Sequence, residues 1–207
     1  MNHSIVLIDA GTGNLHSVQR ALEWCGANVL RTTSAEEVAH ARKIVLPGVG
    51  AFGDFMQGLR ENGIDEGIFQ ALEKGALLLG ICVGMQALFH SGEEMGVHLG
   101  LNLLPGKVIH FPPQKDIKIP HTGWNKLNIQ SDSPLFRQIS SPTYVYFNHS
   151  YYCQAEDQKE IIATCTHAIE FAAAVQRERI FGVQFHPEKS QKIGLQILGN
   201  FLEITDE

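Results

Sequence analysis

The sequence predicts an α/β protein: an open, mostly parallel sheet flanked by helices on both faces, with additional short antiparallel strands in the C-terminal half. Three observations carry this expectation. Four short apolar runs in the first 81 residues alternate with helical segments, the pattern of parallel strands joined by helical crossovers. Beyond residue 100 the texture changes to closely spaced strand-like runs. The chain has 207 residues, 44% hydrophobic and 18% charged, enough to bury a core. No stretch rich in Pro, Gly or Ser divides it, so a single domain over residues 1–207 is expected.

Residues 5–9 are an apolar run ending in Asp-Ala-Gly, a buried strand entering a turn. Asn14 is placed to cap a helix with Leu15, Val18, Leu22 and Cys25 on one face, and Gly26 stops it. Residues 28–31 form a second strand. Ser34 followed by Glu37 has the form of a capping box. Residues 43–46 give a third strand, ending at Pro47-Gly48-Val49-Gly50, and helical patterns follow to about Lys74. Residues 76–81 are the fourth apolar strand, and residues 83–90 continue as a helix. Short strands are expected at 108–111, 124–129, 144–147, 151–154, 161–164, 171–176 and 180–185, then a last helix over 189–203.

Composition excludes several function classes. A formal net charge of -6 lacks the basic footprint of a general nucleic-acid binder. No apolar run approaches the length of a membrane span and no secretory pattern opens the chain, so a cytoplasmic protein is expected, with no membrane partner. The four cysteines, at 25, 82, 153 and 165, form no CxxC, and the ten histidines show neither HxxxH nor HExxH spacing. No metal site or cofactor is expected.

Residues 79–86 read Leu-Gly-Ile-Cys-Val-Gly-Met-Gln: a strand, then Gly-x-Cys-x-Gly, then a helix. This is the thiol counterpart of a nucleophile elbow, where a sharp turn lifts the reactive atom above the strand ends. Gly80 and Gly84 allow neighbouring backbone to pass close to the turn. A helix N-terminus at Cys82 favours thiolate, the reactive form. Most free cysteines are simply small buried apolar groups, and Cys25, Cys153 and Cys165 are read that way. His186 ends an apolar strand at the sheet edge where doubly wound folds place their sites. In His186-Pro187-Glu188 a base and a carboxylate to orient it stand within three residues, though a strand-end histidine with a helix-capping acid would read the same.

Taken together, Pro47-Gly48-Val49-Gly50, Gly80-Ile-Cys82-Val-Gly84-Met-Gln86 and His186-Pro-Glu188 resemble the class I, triad-type glutamine amidotransferases, which have a flavodoxin-like core. Residues 9–18 (Asp-Ala-Gly-Thr-Gly-Asn-Leu-His-Ser-Val), Pro120-His-Thr-Gly-Trp-Asn125 and Tyr146-Phe-Asn-His-Ser-Tyr151 narrow the resemblance. They are similar to the glutaminase subunits of imidazole glycerol phosphate synthases. The resemblance implies hydrolysis of L-glutamine through a thioester on Cys82, with His186 as base and Glu188 as its orienter. It implies an oxyanion hole from Gly48, Val49, Gly50 and Val83. Gln86, Glu94, Ser150 and Tyr151 match glutamine-binding positions. Asn14, Trp124, Tyr146 and Lys189 match positions facing a separate cyclase subunit with a (β/α)8 barrel, the partner in a heterodimer. That subunit would receive the ammonia. Thr122, Asn148 and Ser91-Gly-Glu-Glu94 depart from the family's usual residues, and none belongs to the triad. A paralogous subunit that amidates nucleotide-sugars, and a stand-alone cysteine hydrolase on the same fold, remain open from the sequence.

Overall fold

The computed structural model describes residues 3–11 and 14–205. Its first half alternates as expected. Strand β1 (His3–Ile8) leads to α1 (Leu15–Trp24), and β2 (Ala27–Thr32) to α2 (Ala35–Ala39). Strand β3 (Lys43–Gly48) is followed by α3 (Phe52–Glu61) and α4 (Ile64–Glu73), and β4 (Leu77–Cys82) by the single turn α5 (Val83–Gln86). These strands are parallel neighbours in the order β2-β1-β3-β4. The crossover from β1 to β2 runs one way along the sheet and that from β2 to β3 the other. Right-handed connections therefore put α1 on one face and α2 on the opposite one. α2 packs with α4 on its face.

The chain then builds a smaller sheet from β5 (Phe89–Gly92), β6 (His98–Leu99), β7 (Leu104–His110) and, later, β10 (Tyr151–Ala155), in the order β10-β7-β5-β6. The remaining strands extend the main sheet: β8 (His121–Ile129), β9 (Thr143–His149), β11 (Ile161–His167), β12 (Ile169–Arg177) and β13 (Ile180–Val183). β13 lies parallel beside β4, and β12, β11, β8 and β9 follow it antiparallel, giving nine strands. Helix α6 (Gln191–Glu203) closes the chain and packs against α1.

Burial explains the central position of β4. All six of its residues are buried, as a strand covered on both faces requires. The Leu15, Val18 and Leu22 stripe of α1 is buried as its spacing predicts, and Gly26, at φ +90, ends the helix in a conformation that suits glycine.

Three expectations need correction. Asn14 is at the N-cap of α1 through its carbonyl, which accepts from Ser17 and Val18, but its side chain makes no cap hydrogen bond. Ser34 does accept the Glu37 N–H, the Ser half of the box. The helix expected over residues 83–90 stops after one turn, because Phe89 leaves to pair with Leu104 in the small sheet. Tertiary pairing overrides a helical pattern there. The last helix begins at Gln191 rather than Lys189; the residues between, Pro187–Lys189, form a 3-10 turn. Thr12 and Gly13 of the first turn motif lie outside the described residues.

Candidate active site

The parallel strands end at one edge, and the candidate residues collect there. Cys82 ends β4 with φ 56 and ψ -112, a positive φ that a non-glycine residue adopts only under constraint. The constraint comes from the glycines. A Cβ on Gly84 would lie 1.8 Å from the Leu46 carbonyl oxygen, and one on Gly80 would lie 2.6 Å from that of Gly84. Two backbone segments thus pass at contact distance around the thiol. Gly48, opposite Cys82 in the β3–β4 ladder, is as crowded: its Cβ would meet Gly84 N at 2.9 Å.

His186 is buried and lies beside Cys82, close enough for the sulfur to act on its ring. Its Nδ1 lies 2.9 Å from Glu188 Oε1. Burial alone would pull the imidazole pKa down, but the bonds and charges of Cys82 and Glu188 outweigh it and push it up to about 10. That rise favours the protonated ring beside the Cys82 sulfur. The other Glu188 oxygen, Oε2, is buried without a hydrogen-bond partner. The His186 backbone is pinned as well. Its N–H donates to the Tyr146 carbonyl, and its own carbonyl accepts from the Ser190 hydroxyl at 2.7 Å.

A cavity of about 260 Å³ opens over this pair, lined by Val49, Gly50, Cys82, Val83, Gln86, Glu94, Ser150, Tyr151 and His186, with Pro120, Asn148 and His149 at its side. It lies below the roughly 300–1,000 Å³ of sites for drug-sized ligands and suits a single amino acid. The structure thus brings together the candidate nucleophile Cys82 and candidate base His186, the Val49-Gly50 and Val83 backbone, and all four residues expected to bind glutamine. Two of those four also have structural tasks. Gln86 donates its amide to the Tyr151 carbonyl and to Gln184 Oε1, each at 3.1 Å. Glu94 accepts the Phe52 N–H at 2.8 Å, where α3 begins. Burial, and then the nearby Glu94 carboxylate, raise the Tyr151 phenol pKa.

Asn14, Trp124, Tyr146 and Lys189 do not line the cavity. Trp124 and Tyr146 face each other across β8 and β9 with ring centroids 6.2 Å apart, and Trp124 is 47% exposed. Lys189 holds its ammonium 5.7 Å over the Tyr146 ring. Asn14 begins α1, which packs on the Pro187–Lys189 turn. The two departures Thr122 and Asn148 are a cross-strand pair, hydroxyl to amide oxygen at 3.1 Å, and Asn148 also reaches the cavity.

Sequence reasoning missed Gln184 and His149. Gln184 is fully buried and offers its amide N–H to the Cys82 sulfur at 3.8 Å. A signal existed, since it stands two residues before His186 and so points to the same side of an extended chain. His149 precedes the Ser150-Tyr151 pair and gave no such signal.

Known proteins bear on this geometry. The glutamine amidotransferase class-I family matches residues 6–204. The imidazole glycerol phosphate synthase subunit HisH of Geobacter sulfurreducens is 46% identical, over 97% of this chain and 98% of that protein. The subunit of the same name from Syntrophotalea carbinolica is 47% identical, over 95% and 98%. In fold, the chain resembles the structure of PurLQS from Thermotoga maritima, with a TM-score of 0.76 at 20% identity, covering 98% of each chain. With an elbow cysteine, a carboxylate-held histidine and an end-to-end match to the family, this chain belongs to the class I glutamine amidotransferases.

Proposed function

We propose that the chain is the glutaminase subunit of an imidazole glycerol phosphate synthase, acting in the cytoplasm in histidine biosynthesis. The observation that carries the chemistry is the single cavity holding Cys82, His186 and the Ser150-Tyr151 edge. The Cys82 sulfur attacks the side-chain carboxamide carbon of L-glutamine. The oxyanion that forms is met by N–H groups of the Val49-Gly50 segment and of Val83, the first residue of α5, whose N–H has no partner within the helix. His186 gives its proton to the departing nitrogen, and ammonia leaves behind a thioester. His186 then takes a proton from water as its oxygen attacks the thioester; the C–S bond breaks, releasing glutamic acid, which ionises in solvent, and leaving the Cys82 sulfur beside the protonated ring. Glu188 keeps the imidazole oriented throughout.

Ammonia passes to a cyclase subunit with a (β/α)8 barrel, docked over Asn14, Trp124, Tyr146 and Lys189, and is used to make imidazole glycerol phosphate and aminoimidazole carboxamide ribotide. The names of the Geobacter and Syntrophotalea relatives, with near-complete coverage, favour this partner over a nucleotide-sugar amidating one. The test is glutamine hydrolysis by the chain alone and with a histidine-pathway cyclase plus its nucleotide ligand. Weak activity alone and strong stimulation by the cyclase are expected. Full activity alone, unchanged by the cyclase, would favour the stand-alone hydrolase instead.

A further inference from the structure

Three side chains outside the triad link the strand that carries Trp124 to the floor of the pocket. His121 and His149 stand directly opposite each other in β8 and β9, and both are buried. His149 lines the cavity, and its Nδ1 lies 2.7 Å from the Tyr151 carbonyl oxygen. A carbonyl only accepts, so Nδ1 carries the His149 proton. His149 Nε2 lies 3.0 Å from His121 Nδ1. In a neutral His149 that nitrogen must accept, so His121 Nδ1 donates. His121 Nε2 is then an acceptor too, and the Asn125 amide reaches it at 3.0 Å. The same amide gives its second proton to the Thr166 carbonyl at 3.0 Å, while its oxygen takes the Lys126 N–H at 2.7 Å. Every proton in the chain from Asn125 to Tyr151 has one possible place.

The surroundings hold this arrangement. The His121 ring stacks on Phe147 and on His167, with centroids 4.6 Å and 4.1 Å away. His167 is itself tied to the Lys118 carbonyl at 3.0 Å. Burial, and then the charge of His167, lower the His121 pKa to about 4. Burial lowers His149 to about 3 against the upward pull of its bond to Tyr151, with His121, His167 and His186 adding to the lowering. Both rings are therefore neutral at neutral pH, as the proton assignment requires.

The Tyr151 carbonyl is the end point. It takes a second hydrogen bond from Gln86, so two side chains pin it. Without the His121 donor, His149 Nε2 would be a buried acceptor lacking a partner. The ring would relieve this by moving its proton from Nδ1 to Nε2, which sets a bare Nδ1 lone pair against the Tyr151 oxygen and drives the two apart.

We propose that His121 and Asn125 are positioning residues: acting through His149, they hold the Tyr151 carbonyl and with it the Ser150-Tyr151 edge in the geometry that receives glutamine. This rests on reading the pocket as a glutamine site. The test uses the full-length chain carrying Cys82→Ala, which is expected to bind glutamine without turnover, and titrates glutamine calorimetrically. Adding His121→Phe, which keeps a ring in the stack but removes the donor, is expected to weaken binding about tenfold. Adding His121→Asn, whose amide N–H falls near the lost Nδ1–H, is expected to restore it to within about threefold. Asn125→Leu gives a second route should the Phe variant fail to fold, with a smaller loss in the same direction. Parental affinity in a folded Phe or Leu variant overturns the proposal, whatever happens to stability. Nitrogen-15 spectra of the parent provide a check that needs neither a variant nor a ligand. They are expected to show Nδ1–H tautomers for His121 and His149, and an Nε2–H tautomer at either overturns the relay. No glutamine binding by the Cys82→Ala chain would instead refute the glutamine reading itself, while the tautomers still decide the relay.

Discussion

In the proposed reaction Cys82 would draw its reactivity from three neighbours, and removing each is expected to impair it in its own way. Cys82→Ala takes away the bond-forming atom, and glutamine hydrolysis is expected to fall by about 10^4- to 10^6-fold. The assembled synthase should still make product from free ammonium, since the cyclase reaction does not use the thiol. Near-parental hydrolysis by Cys82→Ala would refute the thioester route. For the histidine and its carboxylate, the geometry sets an order. His186→Ala removes the proton carrier and should cost nearly as much as losing the thiol. Glu188→Gln leaves a neutral group at 2.9 Å from Nδ1, where a charge stabilises the imidazolium, and a smaller loss of kcat is expected. Equal losses in the two variants would contradict that division of roles. Gln184 is a further case. Gln184→Leu keeps the volume but removes the donor to the Cys82 sulfur and the acceptor for Gln86. A loss of roughly tenfold in kcat/KM is expected, as for a buried hydrogen bond pair broken on one side. Cys82, His186 and Glu188 stand out in the sequence because each sits in a short local pattern, and the structure brings all three together. Gln184 stands in no such pattern: a buried glutamine shows its partners only once the residues 98 and 102 positions away are in place.

At the scale of elements, the elbow depends on two strands and a helical turn approaching more closely than side chains allow. Gly84→Ala would set a Cβ 1.8 Å from the Leu46 carbonyl, a rigid backbone atom. Destabilisation of more than about 3 kcal/mol is expected, beyond ordinary overpacking, and is measured by urea unfolding. Gly50 poses the opposite problem. Its φ of +94 favours glycine, yet nothing lies within 4 Å of an added Cβ. Gly50→Ala should therefore cost only about 1–2 kcal/mol of backbone strain, while biasing the Val49 peptide away from its present orientation. Proline, locked near φ -65, does not fit this conformation at all and would distort the whole segment. If the Val49-Gly50 backbone supplies the oxyanion donor, Gly50→Ala should lower kcat for glutamine while leaving partner binding nearly intact. A parallel loss of both would point to general disruption of the loop. The same close packing explains why α5 is one turn long although the pattern over 83–90 reads as helix. After Gln86 the chain has to turn back so that Phe89 can join the small sheet, and local periodicity carries no information about that pairing.

For the molecule as a whole, the buried histidines set the response to acid. His121 and His149 have folded-state pKa values of about 4 and about 3, below the value of about 6.5 that an unfolded chain gives them. Between those limits the unfolded state binds more protons than the folded one. The neutral pair therefore contributes its full stability above pH 6.5 and loses it progressively as pH falls toward 3. His186 has the opposite sign: raised to about 10, it contributes stability that is complete below pH 6.5 and is lost as pH rises toward 10. Thermal unfolding should accordingly be most resistant near neutrality, and the acid limb should flatten, by up to one proton, in His121→Phe. An unchanged acid limb in that variant would show that His121 is not neutral in the fold. Local sequence already specifies the alternation of strands and helices, the buried fourth strand, the sharp turn at Cys82 and the placement of Glu188 against His186. All of these are written within a few residues, where periodicity, glycine and proline act directly on the backbone. Long-range packing sets the rest: the turn to the small sheet after α5, the Gln86 and Gln184 bonds behind the thiol, and the pairing of β8 with β9 that places His121 against His149. Those depend on which strands lie side by side, which follows from burying the whole core at once and is not encoded in any one segment.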